Sequence, residues 1–216
     1  MTIYDHVIER LASNLTPVSK YAVAQRLGAG IGGGALGSAL LMTVLIGIRP
    51  DIAAASLTVM FWVKSGYTLA LAALSLWCME RLARPAESAR RRSRWLLAPL
   101  LILFLLTIVE FIFSSTPTYR ALIMGSGSAL ICFSCITVLA VPPLVGLIWA
   151  MRGLAPTDLR TAGVATGLAA GGAGAFVYAL HCTESSAAFV AVWYTLGAAT
   201  IAIAGWFLGP RLLRWH

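Results

Sequence analysis

"TAGVATGLAAGGAGAFVYALHCTESSAAFVAVWYTLGAATIAIAGWFL", residues Thr161 to Leu208, decides the fold. Two apolar runs, Thr161 to Leu180 and Ala187 to Leu208, flank a short polar connection, His181 to Ser186. Each run is close to the roughly 20 residues that a helix needs to cross the hydrocarbon of a bilayer. The stretch therefore reads as two membrane spans joined by a tight connection without Lys or Arg. That connection places a histidine, a cysteine and a glutamate side by side in a chain that is poor in charge.

The same pattern recurs toward the N-terminus, at Leu27 to Ile48, Leu57 to Met79, Trp95 to Phe113 and Ser128 to Met151, which makes six spans. With 59% hydrophobic and 11% charged residues among 216, the composition is that of an integral membrane protein. The first 26 residues lack the pattern of a cleavable signal, and span one is expected to act as the insertion signal itself. The fold expected is an all-α, six-span bundle: residues 1–26 form an N-terminal segment, 27–208 the transmembrane domain and 209–216 a tail.

Thirteen of the sixteen basic residues fall on one side of this topology: Arg10, Lys20 and Arg26, six arginines from Arg81 to Arg94, Arg152 and Arg160, and Arg211 and Arg214. Lys and Arg are retained on the cytoplasmic side, so both termini are expected in the cytoplasm and the chain in the inner membrane of a bacterium. The net charge of +8 is explained by this topology and by anionic lipid headgroups, and no direct nucleic-acid contact is needed.

Ahead of span one, Ile3, Val7, Leu11 and Leu15 recur every four residues with Asp5, Glu9 and Arg10 between them, the pattern of one amphipathic helix that Pro17 ends. Such a helix lies on the bilayer or docks into a soluble partner. Gly30 and Gly34 in span one, and Gly163, Gly167 and Gly171 in span five, form ladders where a neighbouring backbone can come close. Pro142 and Pro143 remove two backbone donors and are expected to kink span four.

Lys64 and Glu110 are ionisable residues within spans, where a charge is costly unless it pairs or reaches water. Both lie in the outer third at similar depth, so snorkelling and a structural ion pair are the two readings. The connection His181 to Ser186 belongs to the outer side, and Cys132 and Cys135 lie within the first turns of span four at the same level as Cys182. Cys78 lies at the opposite end and reads as a small apolar residue. The three outer cysteines could simply pack, form a reactive pair, or bind a soft metal with His181 completing the site. No nucleophile, base and orienting residue can be assembled, and no phosphate loop or other cofactor fingerprint is present, so neither catalysis nor a bound cofactor is expected.

Several stretches in order along the chain resemble the NrsF-type bacterial membrane anti-sigma factors. They are "RPD" at Arg49 to Asp51, "KSGYTLALAALSLW" from Lys64, "SCITVLAVPPL" from Ser134, "GVATGLAAGGAGAFVYALHCTE" from Gly163, "FVAVWYTLG" from Phe189 and "LGPRLLRW" from Leu208. The resemblance implies that the N-terminal segment, with Ile3, Val7, Leu11 and Leu15, holds an extracytoplasmic-function sigma factor at the inner membrane. It further implies release under stress from a heavy-metal ion or an oxidant, sensed by a cysteine pair that falls on Cys135 and Cys182; Cys132, which has no counterpart in the family's pattern, and His181 stay candidates from the residues alone. The competing readings are a small transporter or metal-efflux component, favoured by the glycine-rich spans with Lys64 and Glu110, and a membrane thiol oxidoreductase.

Overall fold

The structure is a computed structural model that describes residue 19 and residues 21–84, 90–113, 119–154 and 156–214. Among these residues every regular element is helical. Six helices are long and apolar enough to cross a membrane: Ala22–Leu45, Val59–Leu82, Arg94–Phe113, Leu122–Arg152, Leu159–Ala179 and Ala187–Leu212. They correspond one for one to the six spans expected. Span one starts five residues earlier than the apolar run, at Ala22, because Val23 and Gln25 continue the helix past Arg26, which donates from Nε to the Ala150 carbonyl at 2.9 Å.

Span five is the hub. Its glycine ladder faces span six so closely that a Cβ on Gly167 would collide with the backbone of Ile201 and Ala202, and one on Gly171 with Ala198. Its other faces meet span two at Gly172, against Thr68 and Ala72, and span four at Gly174, against Ala140. Between lipid-like surfaces, where apolar burial gains little, such close van der Waals contact is what holds helices together.

Span four breaks where the prolines demand it. Its regular helix, called span four below, begins at Ala129 after the Gly125–Ser128 turn, runs to Leu139 and resumes at Val141–Arg152 with the prolines in the first turn of the second segment. Pro143 has no N–H for the Leu139 carbonyl, and Ser38 Oγ of span one donates to that oxygen at 2.7 Å instead. The same contact seats Gly34 against the Pro142–Pro143 backbone, so the kink is clamped by a neighbouring helix rather than left free.

Buried side chains form two layers. One, at the arginine-rich end, contains Leu27, Cys78, Met79, Leu82, Leu147, Met151 and Leu213. Cys78 is thus a packed apolar residue far from the other thiols. The second layer, at the opposite end, gathers Met42, Cys132, Ile136, Tyr178, Cys182, Phe189 and Tyr194.

Candidate functional site

The connection from His181 to Ala188 is tied by hydrogen bonds to residues of spans two and three and of the turns before spans two and four. Lys64 of span two, 2% exposed, donates from Nζ to the Cys182 carbonyl at 2.6 Å and to the Glu184 carbonyl at 3.0 Å. Arg49 donates from Nη1 to the same Cys182 carbonyl at 3.2 Å and grips Asp51 through two bonds of 2.6 Å. Glu110 of span three accepts from Ser186 Oγ at 3.0 Å and from the Ala188 N–H at 2.9 Å. Lys64 and Glu110 therefore reach the same connection, as their matched depth suggested, but the direct ion pair between them does not form. Each spends its charge on groups of the 182–188 segment, the lysine on carbonyls and the carboxylate on donors at a helix start, which meets the requirement for partners without bringing them into contact.

The Glu184 carboxylate enters the turn that precedes span four. Gly125 and Gly127 adopt φ of 59° and 89°, and a Cβ on Gly125 would strike the carboxylate. With that space open, Glu184 Oε1 accepts from Ser126 N at 3.0 Å, from Ser126 Oγ, and from Ser128 Oγ at 2.8 Å. Burial pushes this carboxyl up, and the bonds from Ser126 and Ser128 with the nearby Lys64 charge outweigh that push, so it sits below the ordinary range. His181 Nδ1 lies 2.9 Å from the Gly47 carbonyl, which can only accept, so that nitrogen carries the proton.

Beneath this tie lie the thiols. Cys182 is 2% exposed and Cys132 1%. Cys132 and Cys182 are neighbours in this buried layer, and Tyr178 donates to Cys132 Sγ at 2.9 Å. The neighbouring Cys132 is the largest influence on Cys182; with the Lys64 charge and the Tyr194 hydroxyl it overcomes burial and lowers the thiol below its ordinary value. All four cysteines are free thiols. Cys135, one turn further along span four, is half-buried and acts on Cys182 only through charge. Of the residues singled out in the sequence, the structure thus brings Cys132 and Cys182 together, sets Cys135 to the side, and engages His181 with Gly47. Ile3, Val7, Leu11 and Leu15 lie outside the described residues.

A widened helical turn at Val190–Tyr194 opens span six. It carries the fully buried Tyr194 hydroxyl up to Cys182, on which it acts electrostatically. Among the described residues no three His, Cys, Asp or Glu side chains cluster as a metal cage, so the donor set is two sulfurs. Two thiolates suit a soft cation of low coordination number and do not suit Mg²⁺ or Ca²⁺.

Sequence reasoning missed Arg49, Ser126, Ser128, Tyr178 and Tyr194. Arg49 with Asp51 was visible as the "RPD" motif, and the Gly-Ser-Gly-Ser turn at Gly125–Ser128 carried the signal of a tight anion-accepting bend. The tyrosines carried none beyond their position in apolar spans.

No solved structure gives a significant match to this chain. The probable anti-sigma-F factor NrsF of Azospira oryzae is 38% identical over 214 residues, covering 98% of this chain and 99% of that protein. The anti-sigma-F factor NrsF of Caulobacter vibrioides is 36% identical over 215 residues, with the same coverage. The family described as "Negative regulator of sigma F" matches residues 11–215. With the family model matching residues 11–215 and two relatives 36% and 38% identical over 98% of the chain, this chain belongs to the NrsF family of negative regulators of sigma F.

Proposed function

We propose that this protein is a membrane anti-sigma factor: its N-terminal segment captures an extracytoplasmic-function sigma factor at the cytoplasmic face of the inner membrane, and modification of the outer thiols releases it. The observation that carries the reading is the full-length family match, joined to a buried thiol pair set under the one connection on which several outer elements converge. The signal is a soft heavy-metal ion or a two-electron oxidant. A metal ion displaces the protons of Cys182 and Cys132 and bridges the sulfurs. An oxidant takes two electrons as the two thiols lose two protons and join.

Either event changes the position of Cys182, whose carbonyl is held by Lys64 and Arg49 and whose neighbour Glu184 is held by the turn before span four. Spans two, four and five then repack along their glycine contacts, and the bundle passes to a second state with lower affinity for the sigma factor. About 1.4 kcal/mol of difference between the states changes that affinity tenfold.

The test is co-purification of the full-length protein in detergent with its sigma factor, before and after addition of Cd²⁺. Capture is expected to require residues 1–26 and to be lost with Cd²⁺. The Cys132→Ser/Cys182→Ser variant should capture the sigma factor and hold it in Cd²⁺. Cys135→Ser separates the two pairings: the geometry predicts that it still responds, and the pairing implied by family resemblance predicts that it does not. Capture without the N-terminal segment, or release from the double variant, overturns the proposal. Accumulation of labelled Cd²⁺ in vesicles without any sigma capture makes the protein a transporter.

A further inference from the structure

Several described arginines at the arginine-rich end of the bundle are already engaged. Arg26 donates to the Ala150 carbonyl, Arg152 to that of Leu212 at 2.8 Å, Arg92 to that of Trp77 at 2.6 Å, and Arg84 pairs with Glu80. Three others converge on one groove of about 570 Å³ between the start of span five and the end of span six: Arg160, Arg211 and Arg214, with Trp206, Phe207 and Pro210 as its walls. The guanidinium groups of Arg211 and Arg214 make no hydrogen bond or ion pair with any described residue, and that of Arg160 stacks on the Trp206 ring at 4.9 Å. Asp158, the nearby acid, is occupied by the N–H of Thr161 at 3.1 Å and by its hydroxyl, as the cap of span five.

A guanidinium fork matches phosphate oxygens, and two unengaged forks beside a third whose face rests on Trp206 form a site for a phosphate anion around one hollow. The surface below the groove specifies what the phosphate is attached to. Phe207, Ile203 and Leu196, spaced four and seven residues apart on span six, are 59%, 59% and 47% exposed, so an apolar ridge leads from the groove along one face of the helix. A polar hollow at the end of a span, continued by an apolar track along it, matches a molecule with an anionic head and acyl chains.

We propose that the Arg160–Arg211–Arg214 groove binds the headgroup phosphate of an anionic phospholipid, whose chains lie along the Leu196–Ile203–Phe207 ridge. A lipid held there bridges the ends of spans five and six, at the side of the hub opposite the thiols. The proposal is independent of sigma-factor capture.

The experiment is native mass spectrometry of the full-length protein released from micelles containing equal phosphatidylglycerol and phosphatidylcholine of the same chain length. Preferential retention of phosphatidylglycerol is expected. Arg160→Gln/Arg211→Gln/Arg214→Gln should reduce it by on the order of a hundredfold, and Arg214→Gln alone by about fivefold. Arg94→Gln, an exposed arginine at the same end but outside the groove, should leave it unchanged. Retention equal in the triple variant and the parent, or equal loss in Arg94→Gln, overturns the site in favour of a diffuse counter-ion layer. Displacement by inorganic phosphate at the lipid's own concentration overturns the assignment to a lipid.

Discussion

Span five and span three are of similar length and lie at opposite extremes of the same bundle. In span five 83% of the apolar stretch is buried within the molecule and its mean hydropathy is 1.3; in span three 17% is buried and the mean hydropathy is 2.7. The most hydrophobic helix is thus the one most exposed, and the least hydrophobic is the hub. In water the order would be the reverse. In a bilayer the apolar phase is outside, so bulky Leu, Ile and Phe gain nothing by hiding, while Gly and Ala give the centre backbone contacts that large side chains would forbid.

The comparison is broken most severely by filling the hub. Gly167→Leu drives a side chain into the backbone of Ile201 and Ala202, neither of which can step aside, and is expected to cost about 3 kcal/mol or more. A loss of folded protein in detergent thermal melts or size-exclusion profiles checks it. Lys64→Met comes next: the Cys182 and Glu184 carbonyls lose their buried donor, at a cost of about 2 kcal/mol. Because Lys64 and Glu110 do not touch, Lys64→Met and Glu110→Gln should add in a double-mutant cycle to within about 0.5 kcal/mol, and a larger coupling would restore the ion pair.

A smaller effect is expected from acid. Glu184 has its carboxyl lowered in the folded chain, so its contribution is present above the unfolded carboxylate range and fades as the pH falls through the lower folded value. Melting temperatures should drop on acidification there in the parent and less so in Glu184→Gln. The smallest effect belongs to span three, where Leu105→Ala at a 60% exposed position should stay within about 0.5 kcal/mol. A large loss at that position would show that another surface covers it.

The number and order of the spans could be read from hydropathy alone, since length and apolarity are what a bilayer selects. So could the glycine ladders of spans one and five, because a period of four on a helix is a geometric statement, but not the helices that they face. The choice between Cys132 and Cys135 could not. The two lie about 60° apart around span four, and which one meets Cys182 depends on the rotation of a helix broken at Ala140 and clamped by Ser38. The partners of Lys64 were hidden for a related reason. They are backbone carbonyls, present at every residue, and only the path of the 182–184 chain selects them.

The position of the hub in the chain has a consequence for synthesis. Span five begins at Leu159 and span six ends at Leu212, so the two most interdependent helices leave the ribosome after the other four. Spans one to four enter the membrane before the surface that organises them exists, and the weakly hydrophobic fifth segment enters among them rather than into bare lipid. The first four helices wait as an open cradle, and assembly of the bundle is completed from its C-terminal end.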